Sequence, residues 1–300
     1  MLTREANKRL SYIILVLPTL TLFLLFVILP IIYSFFLGMT DWSGYGTFSF
    51  IGLQNFRILF ADRVFFIALR NNIYFILAST FGQIPIGFFI AYLLHRKLVA
   101  GRVFFESMFF LPMVISTIVI AILWSNIFSP QIGALSVFLG RILGKKNYVL
   151  PWMDSPNAAI FPICFVLIWK YAGFYMLIYL SALQKLPQEM IEAAAIDGAR
   201  ESQIFFRIII PALWTTVQTT IVLSISGSMR AFDLVFAMTR GGPAHSTELL
   251  ATYMYNKTFE VYRYGYGSAI STMIVVISVV LIGSSMWLTG IRGRTERSGS

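Results

Sequence analysis

Residues 192–211 read Glu-Ala-Ala-Ala-Ile-Asp-Gly-Ala-Arg-Glu-Ser-Gln-Ile-Phe-Phe-Arg-Ile-Ile-Ile-Pro, a polar stretch set between two long apolar runs. Just upstream, Leu186-Pro187-Gln188-Glu189 makes a good helix start. Proline near the first helical position fixes φ and lacks only an N–H that would be unpaired anyway. Glu189 falls in the first turn, where the positive end of the helix dipole favours an anion. Ala193, Ala194 and Ala195 are strong helix formers with almost no side chain, so their backbone can come close to a partner surface. Gly198 permits the left-handed turn that ends a helix. Ile204, Phe205, Ile208 and Ile209 supply a second short amphipathic segment, and Pro211 closes it. The stretch predicts a helix–Gly–helix knob, in which Glu192 and Asp197 hydrogen-bond either a partner or the knob's own backbone.

The rest of the chain reads as membrane. Of 300 residues, 58% are hydrophobic, 16% aromatic and 12% charged. A soluble domain carries about a quarter charged residues, and no water-soluble core of this size hides so much apolar surface. A hydrocarbon core of about 30 Å needs roughly 20 residues at helical rise. Six runs reach that length, at about 12–37, 72–95, 105–128, 158–182, 212–236 and 268–290. The expected fold is therefore an all-α membrane protein, one domain over 1–300 with six transmembrane helices. The fifth run carries Ser, Thr and Gln throughout, which turns one face away from lipid. The first is too long for the apolar region of a secretory signal and is expected to be retained.

Lys and Arg set the orientation. With the N-terminus in the cytoplasm, the inside segments are short and dense in cations: Arg4, Lys8 and Arg9; Arg96, Lys97 and Arg102; Lys185, Arg200 and Arg207; Arg292, Arg294 and Arg297. The outside loops are longer and sparser, with turn residues and aromatics such as Asp41-Trp42-Ser43-Gly44-Tyr45-Gly46 and Gly241-Gly242-Pro243. Both termini and the 185–211 loop are then cytoplasmic. The net charge of +10 belongs beside an anionic membrane surface and calls for no nucleic acid. Cys164, the one cysteine, excludes an intrachain disulfide and a multi-cysteine metal site. His95 and His245 sit in no H-E-x-x-H pattern, and no metal site is expected. No G-x-x-x-x-G-K-[ST] loop occurs, so any ATP, with its Mg, would be bound by another chain.

The skeleton E-A-A, three residues, Gly198, nine residues, Ile208-x-Ile210-Pro211 resembles the coupling loop of permease subunits in bacterial ABC importers. The resemblance departs at Ile210, where that family usually has Leu. Trp169 to Tyr175, Leu183-Gln184-Lys185-Leu186-Pro187, Phe232-Asp233, Met238 to Pro243, Ser246-Thr247-Glu248, Tyr253, Tyr255, Phe259 and Tyr266 to Ala269 are similar to the carbohydrate permeases of that class, over about 105–290. The chain resembles the shorter six-span members and lacks the extra N-terminal spans and large insertion of the enteric maltose permease. The resemblance implies a non-catalytic permease subunit in a bacterial cell (inner) membrane that imports a sugar or oligosaccharide by alternating access. Its implied partners are a second, different permease, two cytoplasmic ATPase subunits and an external solute-binding protein. The implied ATPase-coupling residues are Glu189, Glu192, Ala193, Ala194, Asp197, Gly198, Ala199 and Pro211. Glycerol phosphate or a polyol-like solute is the alternative cargo. An ATP-independent secondary transporter would instead show two similar halves and intramembrane carboxylates.

Sugar sites pair aromatic faces with side chains that donate and accept hydrogen bonds. Counting back from the coupling loop, the resemblance to the maltose permease points to Lys170, Tyr171, Phe174 and Tyr175 in the fourth span. It points also to Ser224, Ser228 and Ala231 in the fifth, and Met113 and Thr117 in the third. Intramembrane charge is costly unless it faces a pore or a partner. Lys170 either snorkels or faces the solute, and Arg230 and Asp233, three apart on one helix, are expected to pair or to line a pore. A cationic pocket would also suit an acidic sugar or a phosphate ester.

Overall fold

A computed structural model describes residues 15–96, 101–130, 132–145 and 148–297, of which 291–297 as backbone alone. Residues 12–14 of the first predicted span, Arg4, Lys8, Arg9 and Lys97, and the side chains of Arg292, Arg294 and Arg297 lie outside what is described. Among the described residues the regular structure is helical, with one isolated bridge between Thr40 and Phe50. The helices are Leu15–Leu37 (α1), Gln54–Ala61 (α2), Arg63–His95 (α3), Arg102–Val114 (α4), Thr117–Ile127 (α5), Ala134–Ile142 (α6) and Ile160–Leu183 (α7). They continue as Gln188–Ile196 (α8), Glu201–Ala212 (α9), Trp214–Met229 (α10), Asp233–Thr239 (α11), Leu250–Tyr255 (α12) and Tyr264–Arg297 (α13).

Four of these, α1, α3, α7 and the Tyr264–Gly290 part of α13, are each long and apolar enough to cross a membrane. Two more candidates are bent pairs: α4 with α5 at 93°, and α9 with α10 at 66°. The third predicted run is thus broken at Ile115 and Ser116, both extended. The fifth differs too. It stops at Met229, and the chain turns through Arg230 to Phe232 before α11 begins at Asp233.

Three helices run through a proline by one device. A π-turn occupies Leu24–Ile28 ahead of Pro30, Ser79–Gln83 ahead of Pro85, and Phe205–Ile209 ahead of Pro211. A proline ring collides with the carbonyl four residues back and has no N–H to offer it. Those carbonyls belong to Phe26, Phe81 and Arg207, the middle residue of each wide turn, where the extra residue makes room.

The chain forms two compact units, 1–62 with 254–275, and 63–253 with 276–300. In the first, Asn55 is buried and donates Nδ2–H to the carbonyls of Gly38 (3.0 Å) and Thr40 (2.8 Å). Tyr266 donates its hydroxyl to Asp62 at 2.6 Å, and Gly265 N–H reaches the Trp42 carbonyl at 2.9 Å. These bonds satisfy the irregular backbone that follows α1, as an apolar surrounding requires.

The second unit is built around α7, most of whose residues are buried. Small residues let its neighbours come close. A Cβ on Gly87 of α3 would lie 2.7 Å from the Met176 nitrogen, and one on Gly173 of α7 would overlap the Phe109 carbonyl of α4. Asn72 of α3 closes the break after α10: its Nδ2–H donates to the Ser228 carbonyl (2.8 Å), and its Oδ1 accepts from Leu250 N–H (2.9 Å). Asn71 binds the carbonyls of Ser246 (2.7 Å) and Glu248 (2.9 Å).

Candidate functional site

Six helices of the second unit converge on a cavity of about 350 Å3. Phe75, Ser79 and Gln83 enter from α3; Met113 and Thr117 flank the α4–α5 break; Leu167, Tyr171, Phe174 and Tyr175 come from α7. Leu223, Ser224, Gly227 and Ser228 come from α10, followed by residues 230–234 of the turn and the start of α11. Seven of the eight sequence-derived solute residues therefore meet in one place, together with Arg230, Asp233 and Ala231. The mixture of aromatic faces and hydroxyls is what a polyhydroxylated solute needs. A second concavity of about 710 Å3, lined by Trp124, Phe128, Trp152, Phe161 and Phe165 among others, has an almost wholly apolar lining and offers little to a hydroxyl.

The polar wall is pre-organised. Ser79 hydroxyl lies 2.5 Å from Gln83 Oε1 and 3.3 Å from the Tyr175 hydroxyl, while Gln83 Nε2–H donates to the Leu167 carbonyl at 2.7 Å. Thr80 and Ser224 hydroxyls are 3.1 Å apart. Ser79 and Gln83 were missed in the sequence reading. The signal was there, since Ser79, Thr80 and Gln83 interrupt an apolar run, and polar side chains inside a membrane helix mark a functional face.

Lys170 does not line the cavity. It is 2% exposed, and its ammonium donates to the Ile115 carbonyl (3.2 Å) and Thr117 Oγ1 (2.6 Å), 5.3 Å from the centre of the Tyr171 ring. Ile115 ends α4, so the cation sits at the negative end of that helix dipole and fills the carbonyl that the broken span leaves open. Lys170 neither snorkels nor lines the cavity; it fastens the break. Lys170→Met should leave that carbonyl unpaired at about 1–3 kcal/mol, read as a melting midpoint several degrees lower in detergent. An unchanged midpoint would mean that the carbonyl finds another donor.

Arg230 and Asp233 are not on one helix, and no ion pair joins them among the described residues. The helix ends between them, so the three-residue spacing does not face them together. Arg230 Nε–H instead donates to the Ser226 carbonyl at 3.2 Å, and both side chains are exposed on the cavity lining.

The 185–211 stretch forms the predicted helix–Gly–helix. Pro187 is the N-cap of α8, and Glu189 lies in its first turn. Gln188 Nε2–H donates to Glu192 Oε1 at 2.8 Å. Gly198 has φ +79°. Ala199 N–H bonds the Ala194 carbonyl (3.0 Å) and Gly198 N–H the Ala195 carbonyl (3.1 Å), which is the Schellman pattern. No residue of α8 is buried, and Ile196 is 85% exposed. Ala193 and Ala195 face outward, whereas Ala194 and Ala199 are partly buried against the helices beneath. Ala193, Ala195 and Ile196 are thus exposed on the outer face of α8. Asp197, Gly198 and Ala199 rim a concavity of about 320 Å3 with Gln203, Arg207 and Ile208. Pro211 lies inside α9, and the bend into α10 comes two residues later, at Leu213.

The family model described as binding-protein-dependent transport system inner membrane component matches residues 83–294. A probable ABC transporter permease protein of Pyrococcus horikoshii is 36% identical over 275 residues, covering 91% of this chain and 94% of that protein. The multiple sugar-binding transport system permease protein of Streptococcus mutans is 33% identical over 272 residues, covering 90% and 92%. Among solved structures, a chain of a bacterial alginate ABC transporter in complex with an alginate pentasaccharide-bound periplasmic protein superposes with a TM-score of 0.81 at 22% identity, over 97% of each chain. That last likeness is one of fold.

Proposed function

The chain belongs to the binding-protein-dependent transport system inner membrane components, membrane-embedded permease subunits, and on that premise we propose that it carries a sugar or oligosaccharide into the cell by alternating access. The observation that carries this reading is the pairing of a polar, aromatic cavity inside the helices with an exposed Schellman-capped knob on the same unit. In this reading the 1–300 chain works as one permease domain. The two bent pairs each count as one span, giving six, with both termini and the knob cytoplasmic. A second, different permease completes the pathway. Two ATPase subunits, which hold the ATP and Mg, seat on Ala193, Ala195 and Ile196, and closure of that pair swings the helices as bodies. An external solute-binding protein delivers the cargo. Tyr171, Phe174, Tyr175, Ser224 and Ser228, with Met113 and Thr117, hold the solute, while Lys170 shapes the wall. The named sugar permease of Streptococcus mutans supports a carbohydrate cargo.

Arg230 favours a second reading. Its guanidinium, unpaired with Asp233, could meet an acidic sugar or glycerol phosphate. The test is ATPase activity of the assembled complex in lipid, with the binding protein loaded in turn from neutral oligosaccharides, uronides and glycerol phosphate. One loaded form should stimulate hydrolysis, and Tyr171→Ala should change which form does so. A complex that contains no ATPase, in which the chain alone moves solute down an ion gradient, would overturn the reading.

A further inference from the structure

We propose that Phe205 is the positioning residue that makes α3 move with the knob; this rests on the importer reading above. Covalent connection alone carries a push on α8 into two helices. Lys185 to Pro187 leads back to α7, and α9 leads through Leu213 to α10. The α3 helix, which brings Ser79 and Gln83 to the cavity, has no such connection; its end at His95 is more than a hundred residues from Phe205 in sequence. Only packing joins it to the knob.

Part of that packing runs through α7, where Gly87 lies against the Met176 backbone; the direct contact with α9 includes one ring. Phe205, the first residue of the π-turn in α9, meets Tyr92 edge-on at 5.0 Å and Phe88 at 5.5 Å, both on α3. Phe88 in turn meets Tyr179 of α7 edge-on at 4.9 Å, and the Tyr179 hydroxyl lies 2.7 Å from Thr220 of α10. Tyr179 is one helical turn from Tyr175 on the cavity wall. Ile204 and Ile209 on either side of the ring are buried in the same core as Leu94, Met176 and Leu183. That buried core is a second link between α9 and α3; a third is the Arg96–Glu201 ion pair, 38% and 62% exposed, and pairs so exposed contribute little. Edge-to-face rings within about 5–7 Å form directional contacts, so the aromatic cluster adds to that non-directional core the contact that fixes orientation. Phe206, the next residue, is 65% exposed and meets the Phe205 ring edge-on at 4.9 Å; among the described residues no ring contact joins it to α3, so it serves as the control for loss of an aromatic ring beside Phe205.

The experiment uses the complete complex with its ATPase subunits, in lipid. Cys164→Ala removes the one native thiol, and Gly227→Cys places a reporter in the cavity, where an added Cβ meets nothing within 4 Å. The readouts are the rate of labelling by a maleimide, with and without ATP plus vanadate, and the amount of nucleotide trapped. In the otherwise wild-type complex, ATP plus vanadate should change the labelling rate at least fivefold. With Phe205→Ala the change should shrink below twofold at unchanged trapped nucleotide, Phe205→Tyr should restore it, and Phe206→Ala should leave it intact. A full response in Phe205→Ala would overturn the proposal. So would a loss of trapped nucleotide in that variant, since the ring would then merely support docking. If the parent complex traps no nucleotide at all, the importer reading itself falls.

Discussion

Replacing Gly198 by proline is expected to abolish ATP-driven uptake, by at least about a hundredfold, while the chain still inserts and is recovered at normal levels. The reason is local. Gly198 has φ +79°, and proline fixes φ near −65°. The variant also lacks the N–H that Gly198 gives to the Ala195 carbonyl. A misfit of this kind costs about 3 kcal/mol, and the cap that sets the angle between α8 and α9 is lost with it. No heavy atom lies within 4 Å of an added Cβ, so space is not the constraint. Gly198→Ala should therefore be milder, limited to left-handed strain of about 1–2 kcal/mol. Uptake into proteoliposomes, measured beside the amount of ATPase that co-purifies, checks this. Wild-type uptake by the proline variant would remove the knob from the mechanism.

Gly173→Leu should act through stability instead. A Cβ at 173 overlaps the Phe109 carbonyl and lies 3.0 Å from Phe110 Cα, both backbone atoms that no rotamer change can clear. Overpacking a core usually costs about 1–3 kcal/mol because neighbours yield; here α4 itself must lift off α7. That movement would pull Ile115 away from the Lys170 ammonium, so two supports of the broken span fail together. The expected result is a detergent melting midpoint more than about 10 °C lower, or no recoverable folded protein. Gly173→Ala should fall in between. A leucine variant melting within about 2 °C of the parent would show that α4 is not seated on that glycine.

The sequence makes some of this legible and hides the rest for physical reasons. The apolar runs and the knob could be read because each is local: run length decides the one, and Pro187, three alanines and Gly198 decide the other. The break at Ile115–Ser116 could not. Pro112, Ser116 and Thr117 lie in or beside it, but such residues also occur in continuous spans, and what makes the break tolerable is an ammonium from Lys170, on another helix. The same holds for the turn after Met229, whose Ser228 carbonyl is satisfied by Asn72 on α3. Reading α10 onward through Asp233 led to the expected Arg230–Asp233 pair, which the turn removes. Ser79 and Gln83 were visible but uncharged, and attention to charge passed over them. The exposed side of the knob needed the structure too, because only packing distinguishes Ala194 from Ala193 and Ala195.

The wide turns ahead of Pro30, Pro85 and Pro211 determine how such a chain can be redrawn. Each holds one residue beyond an α-turn, and one residue is about 100° of rotation. A helical wheel started at Arg63 therefore goes out of phase at Phe81. The face bearing Phe75 and Ser79 and the face bearing Gly87 and Ala91 must be counted from separate origins. Deleting one residue from 79–83 would not shorten the helix harmlessly. It would close the wide turn to an α-turn, keeping Gly87, Phe88 and Tyr92 on their present faces but setting the Pro85 ring against the carbonyl four residues before it. Insertions and deletions in these three helices are thus tied to their prolines, and an engineered splice between two such permeases should be cut outside 24–30, 79–85 and 205–211.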